Sequence, residues 1–174
     1  MEPRKNILAV IRAFVQLVRA GECPDASLVL VGGMGWDFET TLKEIEGVQE
    51  VKNRIFLTGF VDDSDLATIY SNAIAFVYMS LYEGFGLPPL EAMQCGVPVI
   101  TSDNSSLPEV VGDAGILLNA LATDELAQAM LNFYRDASLR ETYSKQSIAR
   151  AACFSWQSCA DQVVTAYQKA IESK

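Results

Sequence analysis

The chain has 174 residues, half of them hydrophobic, which is typical of a globular domain with a sizeable core. Its 13 basic and 22 acidic side chains give a formal charge of −9, which argues against a nucleic-acid-binding surface. The longest apolar run, residues 73–79, is far too short to span a bilayer, and residues 1–10 lack the apolar core of a signal peptide.

Apolar patterns predict helices that alternate with short strands. A helical period over residues 7–18 has Asn6 as its N-cap and Gly21 as its stop. Strands are predicted at residues 27–32, buried on both faces, and at residues 54–59, 73–80, 98–101 and 115–118. Further helices are predicted at about residues 37–47, at 62–73 with a cap at Asp62, Asp63 or Ser64, from Leu87 or Pro88 to Gly96, and at 105–115. Three helices finish the chain, the last with an apolar stripe of Trp156, Cys159, Val163, Tyr167 and Ala170.

Strands that alternate with helices of about ten residues predict right-handed βαβ units. The expected fold class is therefore α/β, a doubly wound, Rossmann-like parallel sheet, formed by a single domain over residues 1–174. Such sheets bind ligands outside the carboxyl ends of their strands. The sequence YEGFGLPPLEAM, residues 82–93, lies at one of those ends.

This glycine-rich turn has the features of a phosphate cradle. Gly84 and Gly86 allow close approach of the backbone to a ligand, and Pro88 and Pro89 suit the first turn of a helix. The helix N-terminus presents free amides and a positive dipole end, with the amides of Gly86 and Leu87 best placed to bind an anion.

Two glutamates, Glu83 and Glu91, flank the cradle. A carboxylate about 5 Å from a phosphate charge costs roughly 3 kcal/mol at an effective dielectric constant near 20, so a plain phosphate site would avoid both. Carboxylates accept hydrogen bonds from hydroxyl groups, which suggests a ligand with hydroxyls on both sides of its phosphates, such as a nucleotide sugar. The alternatives are a first-turn acid for Glu91 and a surface loop residue for Glu83.

The block EGFGLPPLEAMQCGVPVITSD, residues 83–103, resembles the nucleotide-sugar site of retaining GT-B glycosyltransferases of family 4, also called group 1. Their signature is a pair of glutamates separated by seven residues, as Glu83 and Glu91 are. The flanking blocks RKN, FLTGFVDDSDLATIYSNA, SSLPEVVGDAG and FSW occur in the family's order, so the resemblance covers essentially the whole chain.

The resemblance implies a role for each matching residue. Glu83 would face the donor sugar, Glu91 would bind the ribose hydroxyls, and Lys5 would neutralise the leaving diphosphate, where negative charge grows as the bond breaks. Arg4 could assist Lys5, or it could simply be an exposed arginine at the helix entry. The remaining donor-binding positions are Gly59, Phe60 and Val61 at the edge of the base, Leu66 beneath it, and Gly84, Phe85, Gly86 and Leu87 around the sugar and diphosphate.

Two other motifs are set aside. The DSD sequence at residues 63–65 resembles a metal-binding Asp-x-Asp, but it precedes a short amphipathic helix and is interpreted as a cap. The GGMG sequence at residues 32–35 follows a strand like a dinucleotide fingerprint, but Phe38 stands at the third glycine position. The absence of histidine and of Cys-x-x-Cys spacing predicts no zinc site, and the four cysteines are expected to be reduced and mostly buried thiols.

By the resemblance, this chain is the donor-binding half of a longer enzyme, without the N-terminal acceptor domain and without the first, central strand of its own sheet. Either the neighbouring strands close that gap, or another segment or partner fills it. The implied reaction transfers a hexose from a UDP- or GDP-sugar to an acceptor hydroxyl with retention, and the sequence blocks favour mannosyltransferase-like members. No cofactor or metal is expected. The expected location is cytoplasmic, with a peripheral role of the intact enzyme at the inner membrane face.

Two alternatives stay open: a non-catalytic module that binds a nucleotide sugar, and half of a nucleotide-sugar epimerase or of a phosphorylase. The epimerase alternative predicts release of free UDP without any acceptor. The phosphorylase alternative requires a cofactor lysine, which no sequence feature marks.

Overall fold

A computed structural model describes residues 2–33, 47–48 and 51–172. Its strands are β1 (Leu28–Val31), β2 (Ile55–Gly59), β3 (Phe76–Tyr78), β4 (Val99–Ser102) and β5 (Ile116–Leu118). They form two parallel sheets, one of β1 and β2 and the other in the order β3-β4-β5. The predicted parallel α/β class is confirmed. In the described part of the chain β1 and β3 do not pair, so these neighbours do not close the predicted gap.

The helices are α1 (Ile7–Arg19), α2 (Asp63–Ser71), α3 (Leu87–Gln94), α4 (Leu107–Val111), α5 (Thr123–Arg135), α6 (Ala137–Ala151) and α7 (Trp156–Glu172). Short 3-10 turns precede α1 at Pro3–Lys5, precede β2 at Lys52–Arg54, and follow α4 at Gly112–Ala114. The predicted helix over residues 37–47 lies outside the described residues for almost its whole length. Phe38, and Met34 and Gly35 of the GGMG sequence, also lie outside the described residues.

Helix α1 forms as predicted, with an apolar face that packs on α5. Ile11 and Phe14 are almost fully buried there, and each such side chain contributes about 1.5–3 kcal/mol of hydrophobic free energy. Asn6 occupies the N-cap position, but its side chain makes no cap. Its Nδ2 instead donates to the Ala120 carbonyl at 2.7 Å, which ties the start of α1 to the chain after β5. Gly21, at φ 72°, follows the end of the helix as predicted.

Strand β1 is not buried on both faces, as its continuous apolar sequence predicted. Leu28 and Leu30 point into the core shared with α1, whereas Val29 and Val31 on the opposite face are 46% and 39% exposed. The burial therefore alternates along β1, because Leu28 and Leu30 face α1 while no described element covers Val29 and Val31.

A second hydrophobic cluster holds α3 against the β3-β4-β5 sheet. Leu90, Ala92 and Met93 on the buried face of α3 pack with Val99 of β4 and Val110 of α4. Ala92 and Met93 have no exposed surface. The N-terminus of α3 is therefore fixed close to the carboxyl end of β3, where the predicted site lies.

The cysteine prediction is half right. All four thiols are free, and Cys23 is buried. Cys153, on the turn before α7, and Cys159, on α7 itself, are exposed. Helix α7 itself has no buried residue, and its predicted stripe, including Trp156 and Tyr167, is open to solvent. None of the helices in the described ranges is both long and apolar enough to cross a bilayer.

Candidate functional site

The predicted site is built on the loop that connects β3 to α3. Ser80, two residues after the end of β3, is fully buried, and its carbonyl accepts hydrogen bonds from Ser102 Oγ at 2.5 Å and Asn104 Nδ2 at 3.2 Å. Both donors lie at the carboxyl end of the neighbouring strand β4. Two parallel strand ends thus meet where the fold class predicts a ligand site.

Glu83 is the centre of this site. Its side chain is 9% exposed, and its Oε1 accepts four hydrogen bonds, all of 2.7–2.8 Å. The donors are Arg4 Nη1, Lys5 Nζ, Tyr78 Oη and Ser80 Oγ. Within the described part of the chain no donor is assigned to Oε2. One oxygen is therefore held firmly, while the other is available to a hydroxyl group of a ligand.

The two cations come from the N-terminal 3-10 turn, with Arg4 79 positions and Lys5 78 positions before Glu83 in the sequence. The Arg4 carbonyl accepts from Leu81 N at 2.7 Å and lies 2.8 Å from Ser80 Oγ, whose single proton goes to Glu83, so the backbone of the turn is fastened to the loop after β3. Lys5 Nζ also donates to the Tyr78 hydroxyl. The structure thus brings together Glu83, Lys5 and Arg4, three of the residues predicted from the sequence.

These contacts lower the pKa of Glu83. Burial alone would raise it, but hydrogen bonds from Lys5, Ser80, Tyr78 and Arg4 outweigh burial and lower it from 4.5 to about 2. Because the folded-state pKa is below the unfolded value, the stability that Glu83 adds is fully present above about pH 4.5. It is lost as the pH falls from there toward 2.

We therefore expect the thermal unfolding midpoint of the wild type to fall more steeply between pH 4.5 and pH 2 than that of a Glu83→Gln variant. Circular dichroism melts of both proteins at half-unit pH steps would measure the difference. Glu125→Gln, at an exposed position on α5, is the control and should follow the wild-type curve. A constant difference between the wild type and Glu83→Gln over this range would contradict the assigned contacts.

The predicted phosphate cradle has the expected backbone geometry. Gly86 is the N-cap of α3 and has φ 107°, a conformation that side-chain-bearing residues rarely adopt. Pro88 and Pro89 lie in the first turn and donate no amide hydrogen. In the part of the chain that the structure describes, the amides of Gly86 and Leu87 donate to no protein acceptor. Both amides are therefore unused donors at the start of the helix, although Gly86 itself is buried and Leu87 is 45% exposed.

The other predicted cradle residues are solvent-accessible. Gly84 is exposed, and Phe85 and Leu87 are 44% and 45% exposed. The Phe85 ring contacts Phe154 edge to face, with 6.1 Å between the ring centroids. The loop is thus anchored on one side by an aromatic contact, while its backbone stays accessible.

Two serines that were not among the predicted site residues, Ser105 and Ser106, hold the loop by hydrogen bonds. Ser105 Oγ accepts from Glu83 N at 3.1 Å, and Ser106 Oγ donates to the Phe85 carbonyl at 2.7 Å and lies 3.2 Å from the Glu83 carbonyl. Ser105 adopts φ 50°, which is uncommon for a residue with a side chain. The SSLPEVVG block marked this stretch, but its pattern gave no sign of a contact with Glu83.

Glu91 lies on α3 with its side chain exposed, and Tyr70 Oη donates to its Oε2 at 3.3 Å. Burial raises the pKa of Tyr70, and the nearby Glu91 charge adds to this rise, so the tyrosine stays protonated and remains a donor. The first-turn interpretation of Glu91 is wrong, since it follows Leu87, Pro88, Pro89 and Leu90 and is the fifth residue of the helix.

The predicted base-edge loop follows β2. Gly59 has φ 69°, its carbonyl accepts from Gly32 N at 3.0 Å, Phe60 is 79% exposed and Val61 is half-buried. Leu66 is half-buried on α2, which packs against α3. Among the described residues no hydrogen bond joins this loop to the Glu83 cluster, so a shared ligand stays a prediction.

The DSD sequence belongs to the start of α2, as predicted, with Asp62 at the N-cap and Asp63 and Asp65 in the first turn. The Asp62 side chain makes no cap hydrogen bond, and the negative charges of the first turn favour the positive end of the helix dipole. In the ranges described, no three cysteine or carboxylate side chains are grouped as a metal site would require.

Residues 1–150 match the sequence model of the family described as glycosyl transferases group 1. The chain belongs to this family. It is 43% identical over 169 residues to the O-antigen chain mannosyltransferase B of Escherichia coli, covering 97% of this chain and 44% of that protein. It is 31% identical over 173 residues to the serotype-specific mannosyltransferase WbdA of Escherichia coli, covering 99% of this chain and 21% of that protein. The chain thus spans less than half the length of these relatives.

Solved glycosyltransferase structures share the fold. The sucrose-phosphate synthase of Thermosynechococcus elongatus superposes with a TM-score of 0.83 at 30% identity, covering 99% of this chain and 44% of that one. The Anabaena protein HepE, solved in complex with UDP-glucose, gives a TM-score of 0.83 at 23% identity, covering 97% of this chain and 46% of that one. These matches confirm the GT-B assignment of the fold.

Proposed function

We propose that residues 1–174 form the donor-binding domain of a longer retaining glycosyltransferase. The intact enzyme moves a hexose from a nucleotide diphosphate sugar to an acceptor hydroxyl, and a preceding acceptor domain completes its active site. The observation that carries this proposal is Glu83, which has one oxygen held by two cations and two hydroxyls while the other oxygen is free. It lies on the same loop as the amides of Gly86 and Leu87, which donate to no protein acceptor among the described residues.

The transferred sugar that we propose is mannose, supplied as GDP-mannose. The 43%-identical relative and WbdA are both mannosyltransferases, which supports this choice of sugar. We place the intact enzyme in the cytoplasm, at the inner face of the membrane.

The proposed chemistry uses side chains and backbone amides rather than a metal. Oε2 of Glu83 accepts a hydrogen bond from a hydroxyl of the donor sugar, and Glu91 accepts hydrogen bonds from the ribose hydroxyls. Negative charge grows on the leaving diphosphate as its bond to the sugar breaks. The Lys5 ammonium, the Arg4 guanidinium and the N-terminus of α3 stabilise that charge.

The two glutamates should act on different parts of the donor. We expect Glu91→Ala to weaken binding of GDP or UDP about tenfold, the loss of one charge-assisted hydrogen bond. Glu83→Ala should leave the affinity for the free nucleotides within about twofold of the wild type, since the hydroxyl partner of Glu83 is on the sugar. It should weaken only the binding of GDP-mannose or UDP-glucose. Isothermal calorimetry with all four ligands measures both effects.

Glu141→Ala, an exposed change on α6, is the matched control and should bind like the wild type. Equal losses of free nucleotide from both site variants would contradict the assignment of the two sides. Binding without transfer by the full-length protein would favour the binding-module alternative. Release of UDP from a UDP-sugar without an acceptor would favour the epimerase alternative.

A further inference from the structure

Three aromatic rings form a row between the two glutamates. The rings of Tyr70 and Phe76 meet edge to face at 5.4 Å between centroids, and those of Phe76 and Tyr78 stack at 5.8 Å. Each end of the row carries a hydroxyl group that reaches a different carboxylate. Tyr78 Oη donates to Glu83 Oε1 at 2.8 Å, and Tyr70 Oη donates to Glu91 Oε2 at 3.3 Å. One rigid row therefore contacts both acids.

Tyr78 also contacts the Lys5 ammonium. Lys5 Nζ donates to the Tyr78 hydroxyl and lies 4.7 Å from the centroid of its ring, within the range of a cation–π interaction. The hydroxyl therefore accepts from Lys5 and donates its single proton to Glu83. Tyr78 is half-buried in strand β3, so this bridge rests on a fixed element rather than on a mobile loop.

We propose that Tyr78 and Tyr70 are positioning residues of the transfer reaction, one for each half of the donor. Tyr78 fixes Lys5 relative to Glu83 on the sugar and diphosphate side, Tyr70 orients Glu91 on the ribose side, and Phe76 sets the separation between them. This inference rests on the proposed function, because it assigns the two hydroxyls to the same donor site.

The two hydroxyls should affect different kinetic constants. Charge on the leaving diphosphate develops only in the transition state, so a misplaced Lys5 lowers kcat and leaves substrate binding largely intact. The ribose is held equally in the ground state and the transition state, so a misoriented Glu91 raises the KM and leaves kcat unchanged.

The test removes one hydroxyl at a time from the full-length protein. We expect Tyr78→Phe to lower kcat about tenfold and to leave the KM within about twofold of the wild type. We expect Tyr70→Phe to weaken the binding of GDP or UDP about threefold and to leave kcat unchanged. The donor probes are GDP-mannose and UDP-glucose, followed by release of the nucleotide, and calorimetry with GDP and UDP gives the affinities. Both variants keep their rings, so the row stays packed and the melting temperature should stay within a few degrees.

Tyr143→Phe is the matched control, since this half-buried ring on α6 contacts Phe133 and lies outside the site. It should behave like the wild type in every assay. A double-mutant cycle separates an effect that Tyr78 exerts through Lys5 from a general structural effect. If Tyr78 acts through Lys5, adding Tyr78→Phe to Lys5→Met should cause little further loss of kcat.

Wild-type kcat in Tyr78→Phe, or a fully additive loss in the Lys5→Met background, would overturn the inference while the proposed function stands. Equal effects of Tyr78→Phe and Tyr70→Phe on kcat and KM would overturn it as well. A wild-type protein that binds neither nucleotide, or that releases nucleotide from neither donor, would overturn the proposed function and this inference with it.

Discussion

Replacing Glu83 with glutamine in the full-length enzyme is expected to lower kcat at least about a hundredfold, or about 2.7 kcal/mol of transition-state stabilisation. The neutral amide oxygen binds Arg4 and Lys5 more weakly than the carboxylate, whose Oε1 now receives a hydrogen bond from each at 2.8 Å. At the Oε2 position glutamine places a hydrogen-bond donor, which cannot accept a sugar hydroxyl. Two charge-assisted interactions, worth about 1.5–3 kcal/mol each, are thereby weakened.

Steady-state release of nucleotide from GDP-mannose and UDP-glucose, with acceptor, would measure this loss. Glu141→Gln serves as the control, because Glu141 pairs with Lys145 on the exposed surface of α6 and the variant should retain full activity. The melting temperature at pH 7 separates lost chemistry from lost folding. More than a tenth of the wild-type kcat in Glu83→Gln would show that the carboxylate is dispensable.

A Gly86→Ala substitution is expected to lower the free energy of unfolding by about 2–4 kcal/mol, from a strained backbone and an overpacked contact together. Gly86 has φ 107°, and a Cβ built there would lie 2.8 Å from Leu107 Cδ2. Leu107 is fully buried and cannot easily move aside. Any relief would shift the N-terminus of α3, so the Gly86 and Leu87 amides would move and nucleotide affinity should fall as well.

Gly84→Ala provides a matched comparison two positions away. A Cβ at Gly84 meets no atom within 4 Å, so the stability change should stay below about 1 kcal/mol. Urea unfolding of the full-length variants would give the stabilities, and calorimetry with GDP and UDP the affinities. Equal destabilisation by the two alanines would mean that the positive φ at Gly86 does not constrain the loop.

The sequence predicted the alternation of elements and the location of the site because both depend on local patterns. Helix α3 was correctly placed from Gly86, the two prolines and Gly96, since their backbone preferences act within a few residues. The extent of β3 was overestimated: the strand was predicted over residues 73–80 from an apolar run that ends at residue 79, but only Phe76–Tyr78 pair with β4. Hydrophobic runs indicate burial and do not indicate where the ladder of hydrogen bonds ends.

The partners of Glu83 could not be predicted in the same way. Arg4 and Lys5 approach it across more than 75 residues of sequence, and Ser105 and Ser106 do so across more than 20. Such contacts depend on how the N-terminal turn and the strand ends meet in space, which no periodicity encodes. The sequence thus supplied the two glutamates and, through the family resemblance, Lys5 and Arg4, whereas the tertiary structure showed that both cations and the hydroxyls of Tyr78 and Ser80 contact Glu83.

The separation of the two sheets has a consequence for handling the chain by itself. Within the described residues β1 and β3 each have a paired neighbour on one side only, which leaves one lateral row of backbone donors and acceptors on each strand unmatched. Open edges of this kind recruit strands from other molecules, and the exposed Val29 and Phe56 beside one of them add an adhesive apolar surface. The isolated polypeptide should therefore self-associate as its concentration rises, and affinities are best determined in dilute samples.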